Sequence, residues 1–330
     1  VIEWKALADR FGRYGASMAS SPMYADLMSR CALDIVRGGP VARAMAGHEG
    51  APGSAPPMRL LGAVHRLVLS ERAPGLAPFY PSVGGVYDGD RAWPAFLAVV
   101  SAGVAGLDRT VQTNEVGRAA ALLGGFHAVS LAYRQPLRLL EVGASAGLLL
   151  RFDSYRYGNA WGPADSPVRL AVPAMPLDPT LRVAERRGCD RSPVDPASEE
   201  GRLTLLSYVW ADQLGRIERL RGALDVAARV PAVVDEADAV EWVRARLAED
   251  PGGAVPVVYH SVVMQYLAPE ARAAFAAAVV EADGPRAWLR FEPVEGTHTF
   301  VVTLTTWPGG EERVLAEAHP HGYDVRWLTT

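Results

Sequence analysis

Lysine is almost missing from this 330-residue chain: Lys5 stands alone and arginine carries the remaining positive charge. Arginines recur along helical faces such as GRIERLRGAL, interleaved with Glu218, and the formal net charge is −4. No basic block offers a footprint for a phosphate backbone, so nucleic acid is not an expected partner. Cysteine is scarce too. Cys31 and Cys189 lie far apart and no C-x-x-C occurs, so a disulfide framework is not expected and a reducing cytoplasm is the expected compartment. Long apolar runs are also lacking. Among the uncharged ones, AAALLGGFHAVSLAY is short of the ~20 residues a membrane span needs. Two glycines and His127 interrupt it, which suits a buried helix. The N-terminal VIEWKALADRFGRYG is amphipathic and charged, without the apolar core of a signal peptide. With 49% apolar and 21% charged residues, the composition is that of a soluble globular chain.

What is present changes character near residue 135. Before it, apolar residues recur at three- and four-residue spacing, as in SPMYADLMSRCALDIVRG, where Ser21-Pro22 reads as an N-cap followed by proline in the first turn. Further helices are expected at MRLLGAVHRLVLS, AWPAFLAVVSAGVAGL and EVGRAAALLGGFHAVSLAY, with HEGAPGSAPP as a loop or hinge. After residue 135, short apolar runs alternate with helical segments, the pattern of an α/β sheet. Strands are expected at LRLLEV, LRVAERRG, PAVVDE, VPVVYHS, RAWLRFEP, TFVVTLTTW and near YDVRW. The segments 199–230 and 238–249 read as helices. No helix separates the last two strands, which predicts an antiparallel addition to the sheet.

Residues 137–147, LRLLEVGASAG, carry two readings at once. Gly143-Ala144-Ser145-Ala146-Gly147 fits the G-x-S-x-G nucleophile elbow of serine hydrolases. That reading needs a base after Ser145, and His260, His298, His319 and His321 follow it. The region before Ser145, however, reads as helix rather than as the strands and oxyanion loop of such enzymes. Alternatively, an acid and glycines after a parallel strand form a cofactor loop, with glycines permitting a tight turn and the next helix presenting its N–H groups to a ligand.

The stretches that follow resemble class I S-adenosylmethionine-dependent methyltransferases. Glu141, Gly143 and Gly147 are similar to that family's first motif, with Ser145 where it has its middle glycine. RRGCDRSP resembles its second-strand ending and places Asp190 at the ribose hydroxyls. VVDEADAV, with Asp238-Ala239, is similar to the acid–Ala pair near the adenine. VVYHSVVMQYLAPEAR resembles its fourth strand running into a helix. The resemblance covers about residues 135–330. It implies an α/β, Rossmann-like methyltransferase-type sheet over 135–330, preceded by an all-helical region over 1–134 that caps the sheet. The segment 151–180 is then an insertion, a lid or substrate loop or a surface excursion packed on the helices. The whole chain also resembles an uncharacterised bacterial family catalogued as a domain of unknown function, in QTNEVGRAAAL, LRLLEVGASAGL, SYVWADQLGRIERLRGAL and YHSVVMQYL; that resemblance implies no chemistry.

Within this picture the expected cofactor is S-adenosylmethionine, held by Glu141, Gly143, Ser145, Gly147, Asp190, Asp238 and Ala239. His260 and Glu292, at strand ends, are the candidate proton acceptors for methyl transfer, since a histidine titrates near working pH. The expected partner is a small-molecule acceptor, met by Gln112, Asn114, Arg118, Tyr155, Tyr157, Trp210 and Asp212. Asn114 and Arg118, four apart, are expected to share a helix face, with Thr113 or Asn114 as its cap. HPHG lacks an acid or cysteine at ligand spacing, so no metal site is expected. The alternatives are a serine hydrolase centred on Ser145 and a non-catalytic cofactor-binding protein.

Overall fold

The computed structural model describes residues 4–49, 55–297 and 299–328. His298, residues 50–54 of the expected hinge and the first three residues of the first expected helix lie outside them. The chain opens with helices α1 (Trp4–Ser17), α2 (Pro22–Val36), α3 (Pro40–Met45), α4 (Pro56–Leu69), α5 (Gly89–Ala102) and α6 (Arg118–Tyr133). Strands β1 (Leu137–Val142), β2 (Arg156–Tyr157), β3 (Arg169–Leu170) and β4 (Val183–Asp190) follow, then helices α7 (Glu199–Ser207) and α8 (Leu214–Ala227). The remainder is β5 (Val233–Glu236), α9 (Ala239–Leu247), β6 (Val255–Ser261), α10 (Pro269–Val280), β7 (Arg286–Pro293), β8 (Phe300–Trp307), β9 (Glu311–Ala318) and β10 (Arg326–Trp327). Among the described residues no helix is long and apolar enough to cross a membrane.

The chain divides into two compact units, Val1–Thr113 with Ser198–Glu218, and Asn114–Ala197 with Arg219–Thr330. This differs from a single cut at residue 134: α6 belongs with the sheet, and residues 198–218 return to the helical unit. In the helical unit, Phe11, Met28, Cys31, Ile35, Leu60 and Phe96 are buried in one apolar core. Ser21 caps α2 as its sequence suggests, its Oγ accepting from the Tyr24 N–H at 3.3 Å with Pro22 in the first turn. The segment 199–230 is two helices rather than one, broken at Tyr208–Gln213. Tyr208, Val209, Trp210 and Ala211 are buried in succession, whereas four consecutive residues of a helix would point all around it.

In the sheet unit, the eight-stranded sheet has the order β10-β9-β8-β7-β6-β1-β4-β5. β5, β4, β1, β6 and β7 are parallel, and β8, β9 and β10 form an antiparallel meander. Every residue of β1 and β6 is buried, as expected of central parallel strands covered on both faces. One face meets α6, where Phe126 stacks on Phe152 at 4.0 Å and meets Tyr259 edge-on at 5.1 Å. On the other, Leu140, Val142 and Val258 pack with Val243 of α9 and Phe275 of α10. The glycine pair of α6 has a packing reason: side chains on Gly124 and Gly125 would collide with the Trp327 ring and with Leu289.

One expectation needs correction here. Glu311–Ala318, unassigned in the sequence, is β9; EERVLAEA lacks alternation because its first four residues are exposed, so pairing with β8 rather than propensity decides it. The insertion forms a short irregular helix at Leu149–Ser154 and the small parallel pair β2-β3. Its Trp161 packs edge-on against His127 of α6 at 4.7 Å and stacks on Phe152 at 5.9 Å.

Candidate functional site

The loop after β1 turns on three left-handed residues, Gly143 (φ +70°), Ser145 (φ +52°) and Gly147 (φ +66°). Glycine adopts this conformation freely; Ser145 stands there under strain. The chain itself holds the loop in place. Ala144 N–H donates to the Cys189 carbonyl at 3.0 Å, Ser145 N–H to Asp190 Oδ2 at 2.9 Å, and Arg151 Nη1 to the Gly147 carbonyl at 2.7 Å. Gly188 makes room for it, since a Cβ there would stand 2.7 Å from Ala144 Cβ and 2.9 Å from the Glu141 carbonyl. A Cβ on Gly143 would stand 2.5 Å from Val263 Cγ2. The glycines therefore serve contacts within the chain. No α-helix follows the loop, contrary to expectation. The Tyr155 hydroxyl donates to the Leu148 carbonyl at 2.5 Å and Arg151 is non-helical at φ −108°, which leaves a short helix without an N-terminal anion site.

Both carboxylate oxygens of Asp190 have partners, Oδ2 the Ser145 N–H and Oδ1 the Ser192 N–H at 2.9 Å. Asp190 thus shapes the loop. Asp238, half exposed, follows β5 and caps α9 through the Val240 N–H at 2.9 Å, with Arg191 at 3.5 Å. Ala239 is the first residue of that helix.

Glu141 is 3% exposed at the end of β1, and the Tyr259 hydroxyl donates to it at 3.2 Å across the β1-β6 pair. Burial pushes its carboxyl well above the usual carboxylate range, against the opposing pull of Tyr259, Arg151 and Arg118. Asn114 and Arg118 reach the same sheet edge, but not from one helix face. α6 begins at Arg118, with Gly117 before it and no side-chain cap, so neither Thr113 nor Asn114 caps it. Asn114 Nδ2 donates to the Ala144 carbonyl at 2.8 Å, and its Oδ1 is sealed from solvent without a hydrogen bond among the described residues. Arg118 donates to the carbonyls of Ser261 at 3.0 Å and Pro320 at 2.9 Å.

His260 is fully buried in β6, with Nδ1 2.7 Å from Glu292 Oε1. The Trp288 indole N–H donates to His260 Nε2 at 3.1 Å. An imidazole that accepts at Nε2 carries its proton on Nδ1, so it donates to Glu292. This places His260 behind Glu292 with no nitrogen free for a ligand.

The remaining candidates use their polar atoms internally or lie in the other unit. Tyr155 and Tyr157 are fully buried, and the Tyr157 hydroxyl donates to the Phe152 carbonyl at 2.9 Å. Gln112, Trp210 and Asp212 belong to the helical unit. There Asp212 accepts from Ser21 Oγ at 2.6 Å and from the Met23 N–H at 3.1 Å, and Trp210 packs on Tyr24 at 6.2 Å. Three residues of the sheet edge escaped the sequence reading. Tyr259 and Gly188 read as ordinary strand positions. Val262, at φ +58°, carries no signal at all, because a β-branched side chain at a left-handed position contradicts local preference.

No curated protein and no solved structure matches the chain. Residues 8–327 match the family described as "Uncharacterized protein conserved in bacteria (DUF2332)", and the chain belongs to that family.

Proposed function

We propose that the sheet unit binds S-adenosylmethionine at the carboxyl edge of β1 and β6 and serves methyl transfer to a small-molecule acceptor. The observation that carries this reading is the strand order. From β1 the chain builds outward to β4 and β5 on one side, then to β6 and β7 on the other, and ligands of open α/β sheets bind at such a switch point. Glu141, Asn114 and Arg118 meet there beside the Gly143–Gly147 loop. The five parallel strands, in the order β5-β4-β1-β6-β7, support a Rossmann-like reading, while the β8–β10 meander departs from an alternating crossover pattern.

The residues present suit the group at this edge. A hydrogen-bond donor of the cofactor would satisfy the sealed Asn114 Oδ1, and the Glu141 carboxyl and Asp238 offer further acceptors. When bound, the cofactor supplies an electrophilic methyl group on a sulfonium. The chain's own contribution is positioning: the loop is fixed by Asp190 and Arg151, and Arg118 ties the start of α6 to the end of β6. A thermal-shift titration with S-adenosylmethionine and its demethylated product tests the reading. Saturation at 100 times Kd contributes about 2.7 kcal/mol, a midpoint rise of a few degrees. The absence of any shift at millimolar ligand overturns it.

One observation favours a second reading, a serine hydrolase. Ser145 holds φ +52° in the turn after β1, the strained conformation of a nucleophile elbow. Against it, His260 has both nitrogens engaged. Fluorophosphonate labelling at Ser145 would establish the hydrolase, and Ser145→Ala is mild for a methyltransferase but abolishes hydrolysis.

A further inference from the structure

Two unfavourable features coincide on the turn after β6. Val262 is left-handed at φ +58°, a strained conformation for a β-branched residue, and strain of this kind collects at functional sites. Its N–H donates to the Phe291 carbonyl at 2.8 Å. The next two N–H groups, of Val263 and Met264, converge on Glu292 Oε1 at 2.9 and 3.4 Å, where His260 Nδ1 also lies, at 2.7 Å. One carboxylate oxygen thus gathers three donors. The other, Oε2, is sealed from solvent and has no hydrogen bond among the described residues. A buried carboxylate oxygen left without a donor is costly in a core and calls for an explanation.

The position of this oxygen supplies one. Val263, whose N–H holds Glu292, packs its side chain against Gly143 of the loop after β1. The carboxylate is thereby anchored through one residue to the edge proposed to bind the cofactor. His260 cannot share its task, since Trp288 occupies Nε2 and Nδ1–H is committed to Glu292.

We infer that Glu292 is the proton acceptor of the methyl transfer, that His260 is its positioning residue, and that the methyl acceptor is a small molecule with an amine or hydroxyl nucleophile. The inference rests on the methyltransferase reading. In the step it describes, a lone pair of the acceptor nitrogen or oxygen forms the bond to the methyl carbon. The carbon–sulfur bond breaks with its electron pair left on sulfur, and the acceptor's proton passes to Glu292 Oε2. The carboxylate becomes a carboxylic acid, and its proton passes to water admitted to the site as the product leaves.

The test needs no known acceptor. Sinefungin carries an amino group on carbon where the cofactor has its methylsulfonium, so it presents an N–H donor to a base at that point. Calorimetry on the full chain compares it with S-adenosylhomocysteine, which has only a thioether there. The wild type is expected to bind sinefungin about tenfold tighter, a difference of about 1.4 kcal/mol. Glu292→Gln should abolish that preference while leaving S-adenosylhomocysteine affinity in place, because its amide keeps an oxygen for the three donors. Should that variant not fold, Glu292→Asp, which retracts the carboxylate by one methylene, should reduce the preference several-fold. His260→Asn should weaken the preference with Glu292 still present; a ratio equal to the wild type's removes its positioning role. A preference that survives Glu292→Gln, or a wild type without one, overturns the inference but leaves the cofactor reading standing. A wild type that binds neither compound overturns the methyltransferase reading itself.

Discussion

Trp288 Nε1–H donates to His260 Nε2 at 3.1 Å, within the sheet unit. This bond fixes the imidazole tautomer and turns a strand-end histidine into a support for Glu292. Trp288→Phe keeps much of the apolar ring but leaves Nε2 as a buried acceptor without a donor. The expected cost is about 1–3 kcal/mol, read from the urea midpoint at unchanged slope. Nitrogen NMR of the wild type should show His260 protonated on Nδ1; an Nε2–H tautomer would contradict the arrangement.

Gly188 is expected to tolerate no side chain. A Cβ there meets Ala144 Cβ and the Glu141 carbonyl, and neither is the free end of a flexible side chain. Gly188→Ala should destabilise the protein by about 1–3 kcal/mol, as overpacking does. It should also disturb the loop, seen as shifted amide resonances for residues 143–147. A variant as stable as the wild type would show that the loop does not rest on β4.

His127 gives a pH dependence of defined sign. It is fully buried, its Nδ1 accepts from the Asp178 N–H at 2.8 Å, and burial pushes the imidazole down from 6.5 to about 4. The unfolded chain therefore binds the proton first. This contribution to stability is complete above pH 6.5, falls as pH drops below it, and is gone below about 4. Its full extent is about 3 kcal/mol. His127→Asn retains an acceptor for Asp178 and should flatten the stability curve between pH 6.5 and 5, although it is less stable overall. An unchanged slope would place the proton elsewhere.

Glu141 has the opposite dependence. Its carboxyl is raised by burial, so the folded chain holds this proton more tightly than the unfolded chain does. The group weighs against the fold increasingly as pH rises above the ordinary glutamate value. Glu141→Gln should match the wild type near pH 4 and gain on it toward pH 8. The same variant should bind S-adenosylmethionine more weakly if Glu141 serves the proposed site. Stability curves that run parallel across this range would contradict the assignment.

By itself the sequence determined where β1 and β6 lie, because short, mainly apolar runs such as LRLLEV and VPVVYHS suit doubly covered strands. It also determined the capped start of α2 and the small-residue turn after β1, since local conformational cost is written into Ser21-Pro22 and Gly143. Tertiary structure alone decided what each polar group is used for. Asp190, read as a ribose ligand, is taken by Ser145 and Ser192; Asp212, read as a substrate contact, serves the start of α2, 191 positions away in the chain. His260 is filled by Trp288, whereas Glu292 and Asn114 each retain a sealed oxygen without a hydrogen bond among the described residues. Periodicity reports which side of an element is buried. Hydrogen-bond partners are chosen by distance in space, and that only the folded chain defines.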